Sequence, residues 1–305
     1  MSDLHFELRF LGPRYWGNAL LIGLIGIGVI LPRSVASRIG AALGDLFRWG
    51  NTKRRRIAEV NLRLCFPELD SHTRQKMVVE HFRAYGRSII DLGLVWWASE
   101  NRLDQICRVR GLDEWSNRLN AGEPTLLITP HMVGIDIGGV YLSRFYPIVS
   151  MMKRAENPLL TWRLWRGRSR FGAEVILRDQ GIRPMVRGLI EGRVGYIMPD
   201  ENLVEGRSVF VSFFGVRSAT LSVVGRLSRL TGAKVVPMFT RRLDSGHYEI
   251  DIHQPLESFP TGDDLADAER INQVFEEGIR LAPEQYLWTL QWFKTLPHGK
   301  PSPYS

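Results

Sequence analysis

The sequence predicts an α/β fold, a mostly parallel or mixed central sheet flanked by helices, behind an N-terminal membrane-anchoring helix. Three observations carry this. Short apolar, partly β-branched runs alternate with helical patterns from Thr125 onward. The stretch from Gly40 to Trp97 repeats apolar residues at spacings of three and four, as in Ile57, Val60 and Leu64 and in Met77, His81, Phe82 and Tyr85. Before both lies an uncharged run, Ala19 to Leu31, that extends back to Tyr15.

That run just reaches the roughly 17 residues at the lower limit for a membrane span. Tyr15 and Trp16 sit at one edge, where interfacial aromatics belong. Beyond the other edge come Arg33, Arg38, Arg48 and Lys53-Arg54-Arg55-Arg56, against only Arg9 and Arg14 before it. The positive-inside rule then puts the body of the chain on the cytoplasmic side. A short span and a helix lying in the interface both fit, and so does a buried core helix. No A-x-A-like cleavage site follows, which speaks against a signal peptide. The expected division is an anchor over residues 1–35 and one catalytic domain over 36–305.

Helical periodicity breaks at Phe66-Pro67 and resumes with Ser71 as the expected cap. Arg108 to Trp115 reads as a short strand and turn. Strands are then expected at Thr125–Thr129, Pro147–Met152, Glu174–Leu177, Val194–Met198, Lys234–Thr240 and Tyr248–His253, with an extended piece over Ser208–Phe214. Helices are expected at Gly134–Phe145, from Asn157-Pro158, at Pro184–Glu191, at Leu221–Thr231 before Gly232, and at Asp263–Ile279. Tyr286 to Lys294 is rich in aromatics.

The chain has 305 residues, 44% hydrophobic and 24% charged, which excludes a disordered or collagen-like protein. Its net charge of +8 favours anionic partners. Cys65 and Cys107 show no metal-ligand or CxxC spacing, and buried free thiols are the expectation. No RNA-binding motif accompanies the arginines, so nucleic acid is not an expected partner.

Of the seven histidines, only His131 stands at the C-terminal end of an expected buried strand, where ligands of α/β sheets bind. Asp136 follows within reach of one helical turn or two. A carboxylate on one ring nitrogen fixes the tautomer and leaves the other nitrogen free to take a proton from a hydroxyl. A structural histidine beside a helix-capping Asp gives the same spacing. No Gly-x-Ser-x-Gly elbow occurs and neither cysteine lies near His131 in sequence, which favours direct attack by a substrate hydroxyl. Arg163, Arg166, Arg168 and Arg170, interleaved with Trp162, Trp165 and Phe171, fit either an anion clamp or a solvated basic face. Asp200-Glu201 follows another strand end and fits a turn, a partner for an arginine, an acceptor-orienting carboxylate or, as a minor option, a metal ligand.

Taken in order, these segments resemble the late acyltransferases of lipid A biosynthesis, the lauroyl and myristoyl transferases of Gram-negative bacteria, within the wider glycerolipid and lysophospholipid acyltransferase superfamily. The resemblance rests on Asn61-Leu62-Arg63-Leu64-Cys65-Phe66-Pro67-Glu68 and on His131-x4-Asp136-x-Gly138-Gly139, similar to the family's H-x4-D/E motif. It continues through Lys153-Arg154-x2-Asn157-Pro158-Leu159, Gly167-Arg168-x-Arg170-Phe171-Gly172 and Pro199-Asp200. Val209-Phe210-Val211-x-Phe213-Phe214-Gly215-Val216, Ala219-Thr220 and Gly232-Ala233-x-Val235-Val236-Pro237 complete it. Many members carry Glu where this chain has Asp136, and Gln or His where it has Glu201.

The resemblance implies a glycerolipid-acyltransferase-like fold at the cytoplasmic face of the inner membrane. It implies acyl transfer from acyl carrier protein to a hydroxyl of a lipid A precursor, with no cofactor and no metal. His131 would be the general base and Asp136 its orienting acid. Arg168, Asp200, Arg170 and Arg166 would bind substrate or stabilise the oxyanion. A lysophospholipid or other glycolipid acyltransferase built on the same dyad is the alternative.

Overall fold

The protein is described by a computed structural model over residues 4–202, 208–297 and 301–304. Two single helical turns, Leu8–Leu11 and Pro13–Tyr15, lead into helix α1 (Trp16–Ile30). Pro32 has no N–H to donate and holds Leu31 extended, so the helix stops and α2 (Arg33–Gly50) starts anew. Pro13–Ile30 is long and apolar enough to cross a membrane by length and composition, and 17% of it is buried.

Helix α3 (Thr52–Cys65) is capped by Asn51, whose side chain accepts from the Arg54 N–H. The cap of α4 (Ser71–Trp97) is Asp70 rather than the expected Ser71. The Asp70 carboxylate accepts from the Thr73 N–H at 2.9 Å, which makes Ser71 the first helical residue. Helix α5 (Glu100–Ile106) follows, capped by Ser99.

Both α1 and α2 pack against α4 through small residues. Gly40 and Gly44 of α2 lie against the α4 backbone between Phe82 and Arg87, and Gly28 of α1 faces Ile90. A methyl group at Gly40 would sit 2.6 Å from the Arg87 Cα, and one at Gly93 would sit 2.5 Å from the Ile25 carbonyl oxygen.

The α/β body begins with β1 (Cys107–Arg110), α6 (Leu112–Asn120), β2 (Thr125–Ile128), α7 (Ile135–Leu142), β3 (Ile148–Met152) and α8 (Pro158–Arg168). It continues with β4 (Glu174–Leu177), α9 (Arg183–Ile190) and β5 (Val194–Ile197). The last part holds β6 (Ser208–Phe213), β7 (Val216–Leu221), α10 (Val223–Thr231), β8 (Lys234–Arg242), β9 (Tyr248–Ile252) and α11 (Asp264–Arg280). Seven strands form one sheet in the order β1-β9-β8-β2-β5-β3-β4. Every pairing in it is parallel except β8 with β9, which a hairpin joins. The mixed α/β sheet expected from the sequence is therefore present.

One expected boundary moves. Leu221 ends a strand, β7, and helix α10 begins at Val223. β6 and β7 pair in register from Ser208↔Leu221 to Phe213↔Val216, around a turn with Phe214 and Gly215 at positive φ. Alternate residues of β2 point to opposite faces. Leu126 and Ile128 join a core with Phe82, Phe275 and Trp288, whereas Leu127 joins one with Leu94, Val140 and Tyr248. Cys65 and Cys107 are free and buried, as expected.

The α2–α4 contact sets two opposing effects of a Gly→Ala change against each other. In an open helix, Gly→Ala stabilises by about 1 kcal/mol. At Gly40 the new methyl meets backbone that cannot rotate away, and such overpacking costs about 1–3 kcal/mol. Thermal or urea denaturation of Gly40→Ala should show a net loss of stability. A gain would mean that the two helices are not in backbone contact.

Candidate active site

The site forms where neighbouring parallel strands end. β2 lies between β8 and β5, and all four of its residues are buried. Its register with β5 pairs Leu126 with Gly195 and Ile128 with Ile197. His131 and Asp200 are each the third residue beyond that last pair, reached through Thr129-Pro130 and Met198-Pro199. The register thus delivers an imidazole and a carboxylate to one place.

Asp200 accepts three hydrogen bonds. One oxygen takes the His131 Nδ1–H at 2.6 Å. The other takes the His131 backbone N–H at 2.8 Å and the Tyr286 hydroxyl at 3.0 Å. A carboxylate at Nδ1 fixes the tautomer that leaves the Nε2 lone pair free. Glu201 Oε1 stands 3.8 Å from that Nε2 and is itself paired with Arg178. Burial alone pulls the His131 pKa down. The Asp200 charge and hydrogen bond, then the Glu201 charge, push it up against opposition from Arg168, and the net direction is upward.

The aromatic segment at the C-terminal side holds this loop. The Val133 and Leu287 N–H groups exchange backbone bonds with Gln285 and His131, at 2.9 and 3.0 Å. Trp292 lies against the His131 ring and stacks on Tyr286.

Asp136 does not hold His131, contrary to the expectation from the His-x4-Asp spacing. It sits in the first turn of α7 and receives Arg168 from the end of α8, Nε to Oδ1 at 2.7 Å and Nη2 to Oδ2 at 3.2 Å. The reason is geometric. Both the ring Nδ1 and the backbone N–H of His131 turn toward Asp200 on the next strand, and Asp136 faces α8. Burial works against the Arg168 charge, Asp136 restores it, and the net pKa direction is up.

The remaining arginines separate. Arg170 donates to the carbonyls of Ala98 and Leu94, at 2.8 and 3.2 Å, and so closes the C-terminus of α4. The substrate-facing position expected for it is not where it lies. Burial lowers its pKa to about 10. Arg163 is buried, donates to the Trp96 carbonyl and stacks over Trp97. Arg166 is exposed on α8.

His131, Asp136, Arg168 and Glu201 all border one cavity of about 800 Å3. Its walls are mainly apolar, with Leu92, Val95, Ile135, Met151, Ile197 and Leu227 among them. Lys153, Arg178 and Arg226 add positive charge. Among the described residues, no group of three or more His, Cys, Asp or Glu side chains is placed to hold a metal ion. The arrangement brings a carboxylate-bonded imidazole, a carboxylate-paired guanidinium and an apolar compartment into one space.

Sequence reading missed Tyr286 and assigned the wrong carboxylate to His131. A signal for the second was present: both strands end in the pattern x-Pro-x, Thr129-Pro130-His131 and Met198-Pro199-Asp200.

The charges facing the imidazole are Asp200, Glu201 and Arg168, beside the Tyr286 hydroxyl. Glu201→Gln removes one of the two negative charges, so the His131 pKa, followed through its ring resonances by NMR, should fall. Glu201→Asp should lower it less. Asp200→Asn should lower it further, because a hydrogen bond to the charged form goes as well. An unchanged titration in Glu201→Gln would show that this carboxylate does not act on the ring.

Residues 4–295 match the family model of the bacterial lipid A biosynthesis acyltransferases. The chain is 33% identical over 301 residues to the lipid A biosynthesis lauroyltransferase of Escherichia coli K12. It is 32% identical over the same length to that organism's palmitoleoyltransferase, and the alignment covers 98% of both chains. To its myristoyltransferase it is 30% identical over 306 residues, covering 98% of this chain and 93% of the relative. On the matched family model and these near-complete alignments, the chain belongs to the bacterial lipid A biosynthesis acyltransferases.

Proposed function

We propose that this protein moves a fatty acyl group from acyl carrier protein to a hydroxyl of a lipid A precursor, with His131 as general base. The observation that carries the reading is the His131 ring at the border of a largely apolar cavity, with Nδ1 tied to a buried carboxylate and Nε2 3.8 Å from Glu201 on the cavity wall. The acceptor hydroxyl gives its proton to Nε2 as its oxygen attacks the thioester carbonyl. Asp200 stabilises the imidazolium that forms. The tetrahedral oxyanion then collapses, the carbon–sulfur bond breaks, and the leaving thiolate takes the proton from Nε2. The acyl chain occupies the apolar walls, and the chemistry needs no cofactor.

Asp136 acts through Arg168. It fixes the guanidinium at the cavity, where Arg168 binds either the developing oxyanion or a phosphate of the acceptor. Arg166, exposed on the same helix, adds to the positive field that meets anionic substrate. The +8 net charge attracts the acidic carrier protein. This reading places the protein on the cytoplasmic face of the inner membrane, where both carrier and lipid acceptor are available.

Mass spectrometry of lipid A tests it. Cells lacking this protein should lose one secondary acyl chain, and the wild-type chain should restore it. Unchanged lipid A with altered phospholipids would point instead to lysophospholipid acylation. In the purified enzyme, His131→Ala should reduce turnover by about 10²–10⁴-fold with folding intact. Asp200→Asn should impair turnover too, whereas Asp136→Asn should do so by releasing Arg168. If Asp136→Asn were inactive and Asp200→Asn fully active, the assignment of the orienting acid would be wrong.

A further inference from the structure

We infer that α1 and α2 together form a membrane-docking face that lies in the plane of the bilayer surface, and that α1 does not cross the bilayer. The inference concerns attachment and does not rest on the acyl-transfer reading.

The first observation is a continuous apolar stripe. Leu20, Leu24, Ile27 and Ile30 of α1 are exposed, and the spacing of three and four resumes beyond Pro32 with Val35, Ile39, Leu43, Leu46 and Trp49 of α2. The exposures are high for such side chains: 66% at Leu20, 81% at Ile30, 60% at Leu46 and 75% at Trp49. On α2 the usual amphipathic arrangement is inverted. Its inward face is small, Ala36, Gly40 and Gly44, and its large apolar side chains point outward. A surface with this pattern is built to meet something apolar.

The second observation is that both ends of α1 are fastened to the folded body. At its start, Phe10 and Tyr15 pack with Leu159 of α8, and Phe6 meets Trp162 at 5.1 Å between ring centres. Toward its end, Ile25 and Gly28 sit against Gly93 and Ile90 of α4. A spanning helix has its two ends on opposite sides of the bilayer. Here that would draw α8, with Arg163, Arg166 and Arg168, to the level of the lipid tails, at a prohibitive cost for charged groups.

The third observation is charge. No charged residue occurs between Trp16 and Pro32. Exposed basic residues flank the stripe: Arg14 and the Glu7-paired Arg9 before α1, Arg38 at its edge on α2, and Lys53 and Arg54 beyond it. An apolar face with a basic border matches an anionic lipid surface rather than a second copy of this equally basic chain. The sequence-based boundary at residue 35 would then run through the middle of one functional face.

Two measurements test this without using turnover. In the first, Glu7→Cys and Glu191→Cys full-length proteins in native membrane vesicles are treated with a membrane-impermeant maleimide from either side. The two native cysteines are buried. Labelling of both positions from the same side is expected, and labelling from opposite sides would establish a span and overturn the inference. In the second, Leu43→Asp/Leu46→Asp protein is titrated with phosphatidylglycerol–phosphatidylethanolamine vesicles. Affinity should fall by about tenfold or more with the thermal transition retained, since two leucines would no longer bury apolar surface in the bilayer. Unchanged vesicle affinity, with or without loss of a dimer in detergent, would show that lipid does not cover α2.

Discussion

The parallel pairing of β2 with β5 is the constraint on which the site depends. It brings together two residues 69 positions apart, and it does so by register alone. Successive side chains alternate between faces of a sheet, so a slip by one residue would send Asp200 to the other side. The neighbouring pairs β2–β8 and β5–β3 hold the same two strands from outside, which leaves the register no freedom to slide. Asp200 adds its own lock. Its side chain is only 2% exposed, and three donors compensate the charge it buries there.

Two ion-bearing units share the cavity and stay separate. His131–Asp200–Tyr286 comes from strand ends and the C-terminal aromatic segment, and Asp136–Arg168 comes from two helices. Each carboxylate is matched to one strong donor set. Arg168 slightly opposes the protonation of His131, and Glu201 favours it. The ring thus feels one cation and two carboxylates with a net upward direction, and its proton affinity can respond to an incoming anionic group.

The sheet strands were largely legible because fully buried parallel strands read as short apolar runs between turn residues; Glu174–Leu177 and Val194–Ile197 are examples. His131 was legible because a polar residue directly after such a run stands at the ligand-binding edge. The identity of its acid was not. Spacing along the chain favoured Asp136, while the true contact is made across strands, where only register decides. Arg170 misled in a different way. Four arginines in eight positions suggest an anion clamp, yet Arg163 within α8 and Arg170 just beyond its end turn onto the end of α4 and leave Arg168 for the cavity. β7 went unread because Arg217, Ser218 and Ala219 interrupt its strand signal with residues of low β-propensity, and pairing with β6 makes the segment a strand.

Arg33, Asp91 and Arg242 are as far apart in sequence as they are close in space. Arg33 opens α2, donates to both oxygens of Asp91 at 2.7 and 2.8 Å, and reaches the Gly246 carbonyl in the β8–β9 turn. Arg242 and Tyr248 donate to the same carboxylate at 3.1 and 2.5 Å. Replacing such a buried ionic cluster by apolar side chains is often neutral or stabilising, so bulk stability does not explain it. Its geometry does. The cluster fixes the first residue of α2 to α4 and to the sheet, and Asp91 and Tyr248 border the same cavity as His131. Helix α2, with its exposed apolar face, is thereby held in register with the compartment where acyl transfer is proposed. An apolar contact would allow α2 to slide or rotate on α4; a carboxylate with four directed donors does not. The directional bonding of this cluster sets the angle between the exposed apolar stripe and the cavity that His131 borders.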